Sequence, residues 1–297
     1  MSDFSHLLPS IIDKISCMND QERIDHLAMQ RWIGYTRARE VSEALEALYN
    51  HPRVTRMPNM LLIGRTNNGK TDMVKRFAAK HPATENLGGE NILAPVIFVQ
   101  TPPKPTENGF YAEILRPLMI KPVAGSNDAK RSQVVDILRA VQLKVLIIDE
   151  MHNTLANSSQ SQHQFLNLIK YLTNELQVSI VGVGDETLLN AVSIDSQIQN
   201  RFEPQILTRW VKGAEFTRLL KSFEKILPLR NASNLSEPLL SAKILSLSEG
   251  TIGELSKLLN AAASLAISSG SEAIDLEILN ACPFTPPSQR RRVVGEI

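Results

Sequence analysis

With 297 residues, 43% apolar and 21% charged, the chain has the composition of a globular protein with a sizeable core, not of a disordered, collagenous or disulfide-stapled one. No stretch reaches the length of a membrane span, and Asp3, His6, Asp13 and Lys14 spoil a signal-peptide profile. Two cysteines, Cys17 and Cys282, suggest neither a metal site nor a disulfide framework, so a cytoplasmic location is expected; the net charge of +1 leaves a nucleic-acid partner open.

Residues 1–50 alternate apolar and polar positions at helical spacing, with Ile11, Ile12 and Ile15 in one stripe and Val41, Ala44, Leu45 and Leu48 in another. A short apolar strand, 60–63, then runs into Gly64-Arg65-Thr66-Asn67-Asn68-Gly69-Lys70-Thr71, followed by a predicted helix over 72–80 that opens with Asp72. The glycines allow the tight turn that points consecutive N–H groups at a phosphate chain, and the helix dipole adds to the same field. Lys70 is placed to reach the β- and γ-phosphates of ATP, and Thr71 to ligand Mg²⁺. The preceding strand is the context this motif requires.

Residues 94–100 read as a second strand, and 101–105, with three prolines, as irregular chain. Helical patterns cover 110–118 and 129–140. Val145-Leu-Ile-Ile148 is an apolar run fit only for a buried parallel strand, and it ends in Asp149-Glu150. Acids at the carboxyl end of such a strand sit where open α/β sheets bind ligands. Asp149 is assigned to Mg²⁺ and Glu150 to deprotonating the attacking water. A helix at 162–176, a buried strand at 178–183 and a short strand at 205–207 complete a parallel sheet with helices on both faces. From residue 214 onward, four helical stripes follow with no strand between them, as expected of a lid over nucleotide. The expected division is an N-terminal helical extension, 1–55; a nucleotide-binding core, 56–212; a helical lid, 213–281; and a flexible basic tail, 282–297, containing Arg290-Arg-Arg292.

A phosphate-loop core with a helical lid is the plan of the AAA+ ATPases. More narrowly, the chain resembles the TniB/TnsC family of transposition ATPases, related more distantly to MuB and IstB, over roughly residues 30–270. The likeness rests on Arg56-Met-Pro-Asn59, Asn67-Asn-Gly-Lys-Thr71, Asp149-Glu-Met-His-Asn153, Asn200-Arg-Phe202 and Gly250-Thr-Ile-Gly-Glu-Leu255. It implies an ATPase that forms a homo-oligomer, ring or helical filament, on duplex DNA with ATP and Mg²⁺ between subunits. It also implies recruitment of a transposase, contact with a target-selection protein of the TniQ type, and disassembly driven by hydrolysis. Arg201 then falls where an arginine finger reaches a neighbouring subunit's γ-phosphate, though a surface salt bridge or helix cap would place an arginine there too. Lys104 and Thr106 fall where relatives contact the DNA backbone, so binding should be indifferent to sequence.

The chain departs from the AAA+ pattern in two places. The lid sequence Gly250-Thr-Ile-Gly253 has no sensor arginine and Glu254 follows, which implies hydrolysis that is slow or partner-stimulated. After the 178–183 strand the nearest polar residue is Asp185, whose role stays open, as do those of His152, Trp32 and Tyr35. Two alternatives remain: a loader or remodeller of a replication or secretion component, and a scaffold that binds ATP without hydrolysing it.

Overall fold

The computed structural model describes residues 4–29, 32–102, 106–154, 159–193 and 199–290. In chain order the elements begin with α1 (Pro9–Ile15), α2 (Asp20–Leu27), α3 (Thr36–Asn50), β1 (Asn59–Gly64), α4 (Lys70–Lys80) and β2 (Val96–Gln100). There follow α5 (Glu107–Leu115), α6 (Asn127–Ala140), β3 (Val145–Asp149), α7 (Ser159–Leu176), β4 (Ser179–Gly184), α8 (Glu186–Val192) and β5 (Phe202–Leu207). The last helices are α9 (Ala214–Glu224), α10 (Pro238–Ser248), α11 (Ile252–Ser268) and α12 (Leu276–Ala281). The chain forms two compact units, one of Arg37–Thr208 and one of Met1–Thr36 with Arg209–Ile297.

The first unit is a five-stranded parallel sheet of order β2-β3-β4-β1-β5 with helices on its faces, the expected AAA+ core. Strands β1, β3 and β4 are buried along their whole length, as unbroken apolar runs covered on both faces must be. One core cluster joins Leu61, Ile97, Ile148 and Ile180 to Phe110, Val134, Leu138 and Leu172 of the covering helices. Strand β5 starts at Phe202, earlier than the sequence pattern suggested. Its Pro204 and its alternating exposure are tolerated because it lies at the sheet's edge and pairs only with β1 among the described strands. Helix α3 belongs to this unit rather than to the helices before it. Arg37 donates to the Ile206 carbonyl and the Gln205 side chain, and Tyr49 stacks on His81 with ring centroids 3.9 Å apart.

The second unit is helical. Phe216, Leu219 and Leu220 of α9 pack with Leu258, Leu259, Ala262 and Ala263 of α11, whose alanines allow close approach. Helix α2 is tied in by Arg23, only 1% exposed, which donates to both carboxylate oxygens of Glu272 at 2.8 and 2.5 Å and to the Pro228 carbonyl. Tyr35 packs edge-on against Trp210, so it serves the packing of this unit. Gly250, which opens the run Gly250-Thr-Ile-Gly-Glu-Leu255, has φ +70°, and a Cβ there would lie 2.5 Å from the Trp210 carbonyl oxygen. Its presence in that run therefore has a backbone cause. Arg290 pairs with Glu254 and lies over the Phe284 ring, which ties down part of the segment expected to be a free tail. Residues 291–297, including Arg291 and Arg292, lie outside the described residues.

Candidate active site

Strand β1 delivers Gly64 to the top of the sheet, and the loop after it turns back through two left-handed residues, Asn67 (φ 62°) and Gly69 (φ 81°), into α4. Gly64 is tightly packed: a Cβ would meet Leu207 Cβ at 3.0 Å and its carbonyl oxygen at 3.1 Å, so the end of β5 would have to give. Asn68 is buried, and its Nδ2 donates to the carbonyls of Leu207 (2.9 Å) and Thr208 (3.3 Å), pinning the loop to the end of β5. Asn68 is thus a loop anchor, a role its sequence position did not reveal. Lys70 folds back over the loop, its Nζ donating to the carbonyls of Gly64 (2.6 Å) and Arg65 (2.9 Å). Burial pushes the Lys70 ammonium below its ordinary value, against the upward pull of Glu150, Asp149 and Asp185.

Strand β3 brings its acids to the same place. Thr71 Oγ1 donates to Asp149 Oδ2 at 2.7 Å, and the Asp149 Oδ1 accepts from the Glu150 amide at 2.9 Å. Glu150 adopts φ +53°, a strained conformation for a residue with a side chain, and lies beside the phosphate loop. A cavity of about 250 Å³ is lined by Thr66, Asn67, Asn68, Gly69, Lys70, Thr71 and Asp72 of the loop and helix. Glu150, His152 and Asp185 complete its wall. The last two come from the turn after β3 and the end of β4. Burial raises the Asp185 carboxyl, but hydrogen bonds from Thr187 and the proximity of His152 and Lys70 outweigh it and leave it below its usual range.

These residues suit ATP with Mg²⁺. The left-handed loop and the N-terminus of α4 line the cavity, and a loop of that shape leading into a helix start favours an anion. Thr71 and Asp149 offer two hard oxygen ligands, and Mg²⁺ in such sites takes the remainder from phosphates and water. Among the described residues there is no cluster of three or more His, Cys, Asp or Glu that could hold a metal alone.

The other expected site residues lie elsewhere. Arg201 precedes β5 at the opposite end of the sheet, where Asn59 N donates to its carbonyl and its own Nη1 donates to Asn174 Oδ1 at 2.7 Å. It lines a separate cavity with Arg56, Asn59 and Glu203 and does not join the phosphate loop of its own chain. Thr106 caps α5, its hydroxyl oxygen accepting from Gly109 N at 3.1 Å, which leaves the hydroxyl proton as a donor. Lys104 lies outside the described residues. Arg131 is occupied by Glu107, Asp128 and the Tyr111 hydroxyl, so it is a structural cation.

A family model described as "Bacterial TniB protein" matches residues 23–212, well over half of the chain. The chain belongs to the TniB family. Family and fold together make this TniB protein an AAA+ ATPase. Among solved structures, it is similar to the Aeropyrum pernix ORC2 protein in ADPNP–ADP complexes, with 15% identity, TM-score 0.61, and 86% of this chain and 70% of that one covered. It is similar to Aeropyrum pernix ORC1 in complex with DNA at 17% identity and TM-score 0.57, covering 88% of this chain and 66% of that one. A Walker-type ATPase of Pyrococcus abyssi is similar at 16% identity and TM-score 0.55, covering 88% and 73%. At these identities the likeness is one of fold, and the chain spans about two thirds of the length of these proteins. No curated protein sequence matches it. Among the described residues no helix is long and apolar enough to cross a membrane.

Proposed function

We propose that this protein is an ATP-dependent regulator of transposition that assembles as a homo-oligomer on duplex DNA. In this reading it recruits and activates a transposase and answers to a target-selection protein of the TniQ type. The observation that carries the reading is membership of the TniB family over the segment that contains the whole phosphate-loop cavity.

Each residue has a role in the proposed chemistry. The loop amides of residues 66–71 and the Lys70 ammonium hold the triphosphate. Thr71 and Asp149 would hold Mg²⁺, which when bound neutralises charge on the β- and γ-phosphates. Glu150 orients the attacking water and takes its proton. Arg201, on the far end of the sheet from its own cavity, is supplied to a neighbouring subunit, where its fixed positive fork stabilises charge on the transferred phosphoryl group. ATP therefore bridges two copies, and hydrolysis loosens the bridge and ends the assembly. Lys104 and Thr106 meet DNA phosphates, a contact that carries no sequence information and weakens with salt. The lid assignment of residues 213–281 belongs to the same proposal.

The test is the mass of the protein on duplex DNA with a non-hydrolysable ATP analogue, by imaging or light scattering. Multimers that need both ligands and vanish with Lys70→Ala are expected. A protein that stays monomeric with saturating nucleotide, magnesium and duplex refutes the assembly and with it the transposition role.

A second reading has its own support. Similar folds include archaeal ORC proteins, one of them in complex with DNA, which favours a loader or remodeller of a replication component. ATP turnover that ignores the transposase and the target-selection protein but rises with a replicative helicase would select it. The absence of a lid arginine in Gly250-Thr-Ile-Gly253 lends some support to a non-hydrolysing scaffold, which predicts no turnover with any partner.

A further inference from the structure

The cavity holds a histidine to which the proposed chemistry gives no work. His152 Nε2 lies 3.3 Å from Glu150 Oε2 and 4.0 Å from Asp185 Oδ2, so two carboxylates from different strand ends converge on one ring nitrogen. Ionised carboxylates only accept hydrogen bonds, so their convergence favours a proton on Nε2. The nearer oxygen, on Glu150, lies within ion-pair distance of that nitrogen. Asp185 already accepts from the Thr187 amide and hydroxyl and is beyond hydrogen-bond reach of the ring. Nδ1 is buried with no hydrogen-bond partner among the described residues and faces Gly184, where a Cβ would stand 3.3 Å away.

The ring sits on a braced support. Its turn, Met151–Thr154, is a 3₁₀ helix directly after the left-handed Glu150. Met151 is fully buried against Gly182, where a Cβ would collide with its sulfur at 2.6 Å. Asn153 N donates to the Glu150 carbonyl at 2.9 Å, and Asn153 Nδ2 reaches the Thr101 carbonyl at 3.5 Å. A side chain on such a base is fixed well enough to aim its neighbour.

We propose that His152 is a positioning residue for Glu150: its Nε2–H fixes the direction of the carboxylate that activates water, with Asp185 balancing the ring on the other side. The proposal rests on Glu150 being the base. It differs from a structural role for the histidine, in which the contact merely stabilises the turn. A base displaced by about 1 Å loses on the order of 100-fold in rate, which sets the scale.

The test compares the full-length protein with His152→Ala, His152→Gln, Glu150→Gln and the double variant His152→Ala/Glu150→Gln. It measures ATP turnover with duplex DNA, affinity for a fluorescent ATP analogue, and thermal unfolding. Glu150→Gln sets the reference loss. His152→Ala is expected to lower kcat by roughly 10–100-fold while KM, analogue affinity and melting temperature stay unchanged. His152→Gln, whose amide can still donate, should regain most of the rate. The double variant should be no slower than Glu150→Gln alone, because there is no base left to aim. Unchanged or raised kcat in His152→Ala, equal losses in the Ala and Gln variants, or a melting temperature that falls in step with rate would overturn the proposal. Normal turnover in Glu150→Gln would instead remove the base assignment beneath it.

Discussion

Asn68 offers the sharpest test of how the phosphate loop is held. Its amide is buried, and its two donor contacts at 2.9 and 3.3 Å run to the Leu207 and Thr208 carbonyls at the end of β5. Asn68→Ala strands those carbonyls beside a small void, a loss of about 1–3 kcal/mol for buried groups left without a donor. Asn68→Asp keeps the shape but puts an acceptor against two acceptors; unless it takes up a proton, an uncompensated buried charge costs about 3–5 kcal/mol. If the loss falls on the loop's binding-competent conformation, ATP affinity drops by about 5–150-fold for Ala, since 1.4 kcal/mol is tenfold, and by more for Asp. Titration of a fluorescent ATP analogue alongside urea unfolding gives both quantities. An Asp variant no worse than the Ala variant, or an Ala variant that binds ATP normally, would refute the anchoring role.

Other outcomes follow from contacts already described. Glu272→Ala removes both Glu272 contacts of buried Arg23, leaving Asp20 at 2.8 Å as its carboxylate partner, and should destabilise the helical unit by about 1–3 kcal/mol, read as a shifted unfolding midpoint. Burial pushes the Glu272 carboxyl up, but hydrogen bonds from Arg23 and the Arg230 amide hold it below its usual range. Its contribution is therefore complete above the ordinary glutamate value and is lost as pH falls through the depressed folded one, so acid unfolding of the wild type should show a step that Glu272→Gln lacks. Gly250→Ala forces a left-handed alanine into the Trp210 carbonyl and should cost at least about 1–3 kcal/mol, measurable by thermal unfolding. Arg201→Ala should keep ATP binding and lose turnover. Mixing it with Glu150→Gln subunits should recover activity at interfaces where one copy gives the intact base and the other the intact arginine. No recovery on mixing would place Arg201 outside the reaction.

The phosphate loop and the acidic strand end were legible because their chemistry is written locally: a strand, a glycine turn and a lysine in one run, and an apolar run capped by acids. The parallel sheet followed from its apolar runs. Other features depend on meetings the chain order conceals. His152 and Asp185 come from different strand ends, and only the adjacency of β3 and β4 brings them to one cavity. Arg23 finds Glu272 across nearly the whole chain, with no local pattern to announce it. The start of β5 was hidden by Pro204 and by polar residues that only an edge strand accepts. Asn68 read as a loop residue facing phosphate, yet its side chain turns the other way because β5 ends with two carbonyls in need of a donor.

Strand β5 carries a consequence of its own. One end is grasped by the glycine-rich loop through Asn68, and the other begins where Arg201 leaves the sheet. Six extended residues make a strut of about 20 Å, stiffened by its unbroken pairing with β1. In the proposed assembly, a shift in how one subunit grips its phosphates would be transmitted along this strut to Arg201. On that proposal, turnover at one centre would bear on its neighbour.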